Sequence, residues 1–385
     1  AYDLRHPARF LNADRAGERF ADIQGFGEAL RSGGALAWLA GHGIAGDWLP
    51  QGVLYLAGGQ YLVIAAQVAL ALASVAWLRE IALGAGLDER RASAAATLYA
   101  LLPHTLVFPH QLASEALFVP LVVLAFRQGS RGGLALGVAT LVRPLTVLWP
   151  LVAARGWRFV AAALLPLLAW MTFVLAATGE FSMGRSGHDL GHNLRERMER
   201  IAATLAGRSL PGSERPAAGK TATLGEYLGF VARHPLAALR HSARDMVALC
   251  CKSGIERVTL DYLDLFPEAR GRLQASDGGW RSALEQRGFG GALAGLLSAQ
   301  PALVLSSALA AVLFTGLMAL ALGGALALRR NREAMRLALF VLYVFATAQA
   351  VDAAQSRHRA PAEFALCVLA LAGWAALERR RRPGR

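Results

Sequence analysis

Four of the ionisable side chains between residues 104 and 144 lie within or beside apolar runs. Glu115 lies between two apolar runs, Arg143 directly precedes a proline, and His104 and His110 flank another proline. An ionisable residue at membrane depth costs several kcal/mol unless it faces protein, water or a partner. We therefore expect these side chains to line one polar site rather than to face lipid.

The composition indicates an integral membrane protein. Of the 385 residues, 55% are hydrophobic and 17% are charged, and several apolar runs are long enough to span a bilayer. The net charge is +13. However, the arginines form short clusters between the apolar runs, where cytoplasmic loops are expected. This placement argues against nucleic acid as a partner and favours membrane lipid.

The alternation of apolar runs and arginine clusters predicts the topology. We expect nine membrane helices, with residue 1 outside and residue 385 in the cytoplasm. Two of the nine are short and meet at Arg143-Pro144, because proline disfavours helix at the residue before it. The chain opens in polar sequence without methionine, so we expect a start before Ala1 and leave open whether it includes a first membrane helix. The other runs are 52–78, 92–107, 112–126, 157–177, 301–327, 335–351 and 361–377.

The predicted fold class is an all-α integral membrane protein, a polytopic helical bundle, in four parts. Residues 1–50 are an outer loop with an acidic cluster, and residues 51–178 are membrane helices. Residues 179–299 are an outer-face loop with interfacial helices, of which the basic, amphipathic piece at 224–249 is the clearest. Residues 300–385 hold the C-terminal membrane helices and a cytoplasmic tail.

Two arginines lie on the predicted outer face, against the positive-inside bias. Arg357 and Arg359 belong to the turn SRHRAP before the last apolar run. An arginine in this leaflet needs an anionic partner, and its planar fork binds phosphate through two hydrogen bonds. The alternative is a turn whose arginines extend to lipid headgroups. With Arg143, the pair predicts a phosphate or pyrophosphate site, and we expect both arginines to be dispensable for folding.

Carboxylates and imidazoles elsewhere suggest further chemistry. Asp14, Glu18 and Asp22 recur every four residues and would share one helix face, which is either solvated or the source of a catalytic carboxylate at the membrane surface. His188 and His192 in HDLGH have a spacing that would present both rings to a divalent metal. A loop-ordering role for these histidines is the alternative.

Five segments together resemble a known family. Their order and spacing are similar to those of the GT-C membrane glycosyltransferases, especially the bacterial branch similar to protein O-mannosyltransferases and lipid A aminoarabinose transferases. The segments are SEALF (114–118), GVATLVRP (137–144), GEFSMGRSGHDLGHNL (179–194), ARHPLAALRHSAR (232–244) and SRHRAPAEFALCVLA (356–370).

The resemblance implies a helical bundle of the GT-C type at a bacterial inner membrane. Such an enzyme transfers a sugar, with inversion, from a polyprenyl-phosphate-linked donor to an acceptor glycan, lipid or protein at the periplasmic face. The family's catalytic base is an acidic residue of the first outer loop, and Asp14 and Asp22 are both candidates here. Arg143, Arg357 and Arg359 would bind the donor phosphate.

The remaining polar residues of these segments would support the site. Glu115 would hold a metal or orient acceptor and water, and His110, His188 and His192 would assist, with a divalent metal as an open question. One alternative is a transporter or flippase for a lipid-linked substrate, which should show paired broken helices in two related halves. Only one broken helix is evident in the sequence, at Arg143-Pro144. The other alternative is an inactive, lipid-binding relative.

Overall fold

The computed structural model describes residues 16–41, 49–153, 155–179, 181, 185–205, 221–251, 301–348 and 359–381. Within these ranges the regular structure is helical, without a strand, which confirms the coarse part of the predicted fold class. The α-helices are α1 Ala16–Ser32, α2 Ala35–Gly41, α3 Leu49–Gly84, α4 Glu89–Ala100, α5 Pro103–Val107, α6 Glu115–Arg127, α7 Gly133–Val142, α8 Trp149–Val152, α9 Trp157–Thr178, α10 Arg185–Leu205, α11 Leu224–Arg233, α12 Pro235–Cys251, α13 Pro301–Ala327, α14 Arg332–Ala348 and α15 Ala360–Arg381.

Four helices among the described residues are long and apolar enough to cross a membrane. They are α3, α9, the Ala308–Ala327 part of α13, and α15. Between 17 and 28% of the most apolar window is buried in the first three, against 78% in α15. Exposed leucines on the first three suit contact with lipid, whereas α15 lies in the interior.

The chain forms two compact units. The first consists of Ala1–Gly187, Leu317–Thr347 and His358–Arg385, and the second of His188–Gly316 and Ala348–Arg357. In the second unit, the buried guanidinium of Arg197 on α10 donates to Ser242 Oγ at 2.8 Å and lies 3.3 Å from Asp245 Oδ2, both on α12.

The apolar run at 92–107 is not one span, so that prediction is wrong. α4 ends at Ala100, and α5 begins at Pro103. Proline has no backbone N–H and disfavours helix at the preceding residue, and Leu102 accordingly has ψ 142°. The resulting helices have 12 and 5 residues, fewer than the ~20 that a span needs.

The basic piece at 224–249 is also divided by a proline. α11 ends at Arg233, and α12 begins at Pro235. Between them, the backbone torsions of His234 are not helical. A capping box between Thr223 and Glu226 starts α11 and satisfies donors that the first helical turn would otherwise leave free. The single interfacial helix of the prediction is therefore two consecutive helices.

The predicted break at Arg143 is present. α7 ends at Val142, and Arg143 is extended at φ −147° and ψ 124°. A 3₁₀ turn, Pro144–Thr146, follows before α8. The side chain of Arg143 therefore leaves the helix end instead of projecting from a continuous helix.

Glycines allow two pairs of helices in the first unit to touch through their backbones. A Cβ on Gly137 of α7 would overlap the carbonyl oxygen of Ala163 in α9. A Cβ on Gly324 of α13 would likewise overlap the carbonyl oxygen of Leu369 in α15. Small residues are typical of close helix contacts in membranes.

We expect Gly324→Ala to destabilise the protein by about 1–3 kcal/mol, because α13 and α15 must separate to admit the methyl group. Gly323→Ala is the matched control, since a Cβ there meets no atom within 4 Å. Thermal unfolding of the detergent-purified variants measures the difference. Equal midpoints for the two variants would contradict the close backbone contact.

Candidate functional site

Glu115 is a buried carboxylate at the first position of α6, with 5% of its side chain exposed. The segment before it is held by Gln51 of α3, whose Nε2 donates to the carbonyl oxygen of Ala113 at 2.9 Å. Ser114 Oγ lies 3.3 Å from Glu115 Oε2. The positive end of the helix dipole favours a negative charge at this position.

Arg143 is the ion-pair partner of Glu115. Its guanidinium donates to Glu115 Oε1 at 2.5 Å, and 22% of the side chain remains exposed. The sequence analysis predicted that these two residues line one polar site, and they are in direct contact. An arginine has five N–H donors, so Arg143 retains donors for a second anion.

The turn after Arg143 is fixed by hydrogen bonds on both sides. The hydroxyl groups of Thr140 and Thr146 lie 2.9 Å apart in the protein interior. From α14, the hydroxyl of Tyr343 donates to the carbonyl oxygen of Leu145 at 2.7 Å. These bonds hold the backbone on both sides of Arg143 in place, so the point from which its side chain extends is fixed.

A second buried ion-pair cluster surrounds Glu363 of α15. His104 Nδ1 lies 2.8 Å from Glu363 Oε1, and Arg359 Nε donates to the same oxygen at 3.3 Å. All three side chains are at most 2% exposed. The His104 ring also stacks on Phe108 at 5.2 Å. Such a cluster persists in an apolar interior because its charges are paired.

The two carboxylates line one small cavity. Its volume is about 20 Å³, and its walls include Glu115, Glu363 and His104, together with apolar side chains of α6. This is room for about one water molecule. Both ion pairs thus belong to a single polar site, which we call the central site: Glu115, Arg143, His104, Arg359 and Glu363.

Asp22 lies half-buried on α1 in the same unit. The next residue, Ile23, belongs to a buried cluster that includes Val63 of α3 and Leu112, three residues before Glu115. This packing places α1 against the chain segment that leads into the central site. Asp14, the other predicted base, lies outside the described residues.

The three histidines that were predicted to support the site, His110, His188 and His192, lie on two different helical segments. His110 is half-buried at the end of the 3₁₀ turn Phe108–His110. His188 and His192 both lie on α10, as their spacing requires, and the His192 side chain is half-buried. No group of three His, Cys, Asp or Glu side chains that would hold a metal occurs within the described ranges, and a metal at HDLGH stays a prediction.

Arg357 lies outside the described residues, and Arg359 differs from its prediction in one respect. We expected Arg359 to be dispensable for folding, but it is fully buried and neutralises Glu363. Its removal would leave a buried carboxylate with one partner fewer. Of the two described arginines of the predicted phosphate set, Arg143 is the one that reaches the surface.

Glu363 is the member of the central site that the sequence analysis missed. The available signal was its spacing of four residues from Arg359 at the start of an apolar run, which places both on one helix face. His104 was recognised as part of the polar stretch, but its partner lies 259 residues away. No local pattern connects positions so distant.

Comparison of the chain with protein-family models, with curated proteins and with solved structures finds no match.

We expect Arg359→Ala to destabilise the protein by about 3–5 kcal/mol, because it removes one partner of a buried ion pair. Denaturant or thermal unfolding in detergent measures the loss. The double variant Arg359→Ala/Glu363→Ala should lose less than the sum of the single variants, because the two residues interact.

Arg91→Ala is the control for this cycle. Arg91 also forms an ion pair with α15, through Glu378 at 2.8 Å, but both side chains are partly exposed to water. The loss of stability caused by Arg91→Ala should therefore be far smaller than that caused by Arg359→Ala. Additive effects of Arg359→Ala and Glu363→Ala would contradict the coupling.

Proposed function

We propose that the protein is an integral membrane glycosyltransferase of the GT-C type. It transfers a sugar, with inversion, from a polyprenyl-phosphate-linked donor to a glycan, lipid or protein acceptor. The reaction takes place at the periplasmic face of a bacterial inner membrane. The observation that carries the proposal is the Glu115–Arg143 pair at the broken end of α7, since both residues lie in the motifs that resemble this family.

Arg143 has the properties needed to bind the donor phosphate. Its backbone is fixed by the turn at Pro144–Thr146, and its guanidinium is partly exposed. When the sugar leaves the donor, negative charge develops on the lipid phosphate. A guanidinium held in place before the reaction stabilises that charge without reorganisation. Arg357 would add a second guanidinium.

Glu115 and the cluster around Glu363 act as positioning groups in this proposal. Glu115 accepts from Arg143 at 2.5 Å and so fixes the direction in which the remaining N–H donors point. Glu363 is already engaged with His104 and Arg359, and its role is to connect α5 to α15 within the central site.

The acceptor hydroxyl requires a base, and the acidic residues of the first fifty are the candidates. Asp22 is supported by the packing of its neighbour Ile23 in the cluster with Leu112. A carboxylate within hydrogen-bond reach removes the acceptor proton as the hydroxyl oxygen attacks the anomeric carbon. Asp14 is the second candidate.

We expect Arg143→Lys to weaken the binding of a polyprenyl monophosphate about tenfold or more, because lysine keeps the charge but loses the fork that holds phosphate through two hydrogen bonds. Native mass spectrometry of the purified protein measures this binding. Because the charge opposite Glu115 is kept, the fold should survive. Arg127→Lys, at the exposed pair with Glu80, is the control, and equal affinity in both variants would exclude Arg143 from the phosphate site.

We expect Asp22→Asn or Asp14→Asn to lower sugar transfer by roughly 10²–10⁴-fold while donor binding is retained, because asparagine keeps the shape but cannot accept the proton. Transfer is measured with a panel of polyprenyl-phosphate-linked sugars. If neither variant loses activity, the base lies elsewhere. If the parent protein binds polyprenyl phosphate and transfers no sugar, the inactive, lipid-binding alternative replaces the enzyme.

A further inference from the structure

A wide groove lies between the C-terminal parts of α13 and α15. Its volume is about 850 Å³, within the range typical of ligand pockets. The walls are small or apolar and include Leu320, Leu326 and Leu377, with Gly323 and Gly373. The groove is separate from the central site and shares no residue with it.

The backbone contact between the two helices creates this shape. At Gly324 and Gly373 the helices touch without intervening side chains. Leu326 is 64% exposed, although it lies on a helix apolar enough to span a membrane. In a membrane this surface faces acyl chains, and the groove is a concave part of it.

Three arginines form one end of the groove. Arg329 and Arg330 follow the end of α13, and Arg380 lies in the last turn of α15. None of them lies within ion-pair distance of a carboxylate in the described part of the chain. The two nearest acidic residues in sequence have other partners, because Glu333 pairs with Arg155 and Arg336 and Glu378 pairs with Arg91.

We propose that this groove binds a diacyl phospholipid with an anionic headgroup. Basic pockets between membrane helices attract such headgroups. The acyl chains of this lipid lie along the leucine walls, and its phosphate lies among Arg329, Arg330 and Arg380. A soluble anion would use the arginines alone and leave the apolar walls in contact with bulk lipid. This inference does not depend on the glycosyltransferase proposal.

The experiment compares two lipids that have the same acyl chains and headgroups of different net charge. The full-length protein, purified in detergent, is titrated with dioleoylphosphatidylglycerol or dioleoylphosphatidylcholine, and native mass spectrometry counts the bound lipids. We expect a preference for phosphatidylglycerol of roughly tenfold or more, since each arginine near the membrane surface attracts the anionic headgroup. Equal binding of the two lipids would overturn the proposal.

Matched variants distinguish lipid binding at this groove from a general effect of positive surface charge. The triple variant Arg329→Ala/Arg330→Ala/Arg380→Ala should lose the preference. The control triple Arg332→Ala/Arg379→Ala/Arg381→Ala removes the same charge from exposed arginines that do not line the groove, and it should keep the preference. The reverse outcome would contradict the proposal.

A second pair of variants tests the apolar wall. Gly323→Leu fills the groove, and the new side chain has open space at its Cβ, so we expect binding of both lipids to fall. Gly316→Leu is the control, because Gly316 has the same open space and does not line the groove. Unchanged lipid binding in Gly323→Leu, or full displacement of the lipid by inorganic phosphate, would reduce the site to one for soluble anions and overturn the proposal.

Discussion

A charge inside an apolar helical bundle is stable only when a partner is held within hydrogen-bond distance, and this requirement organises the first unit. Glu363 lies on α15, the most buried of the four described helices that are long and apolar enough to span a membrane. One of its oxygens contacts both His104 and Arg359. Because an unpaired buried carboxylate would cost several kcal/mol, α5 must remain beside α15. The ion pairs of the central site thus stabilise the packing of the bundle, independently of any reaction that the site catalyses.

The same requirement accounts for the break at Arg143. In a continuous helix this guanidinium would project from an apolar cylinder, whereas the extended backbone directs it to Glu115. Proline at the next position makes the break inexpensive, since it disfavours helix at Arg143 in any case. Arg143 and Pro144 therefore act together. Arg143 requires an anionic partner, and Pro144 ends the helix so that the Arg143 side chain can extend towards Glu115.

Sequence reasoning succeeded where a single residue carried the signal. Arg143 before a proline and Glu115 in an apolar run each demanded an explanation, and the two proved to be partners. It failed where the signal lay in pairing across the chain, as for His104 and Glu363, which are 259 residues apart. Pro103 indicated that the run 92–107 is divided into two helices, but the prediction of one span gave more weight to its apolar composition. Helical periodicity in the sequence also cannot separate Asp14 from Asp22, because both would share one face of a continuous helix.

The bend in α3 lies at Gly58 and Gly59 and shapes the surface against which α1, the helix of Asp22, packs. Gly59 has φ 69° and ψ −170°, a conformation open essentially to glycine alone, and a Cβ there would meet no atom within 4 Å. Tyr55, before the bend, contacts the ring of Phe20 on α1, two residues from Asp22. Ile23 of α1 packs against Val63, beyond the bend, so the helix that carries Asp22 contacts α3 on both sides of Gly59. A side chain at Gly59 would therefore disturb this packing through backbone strain alone, although its Cβ would meet no atom.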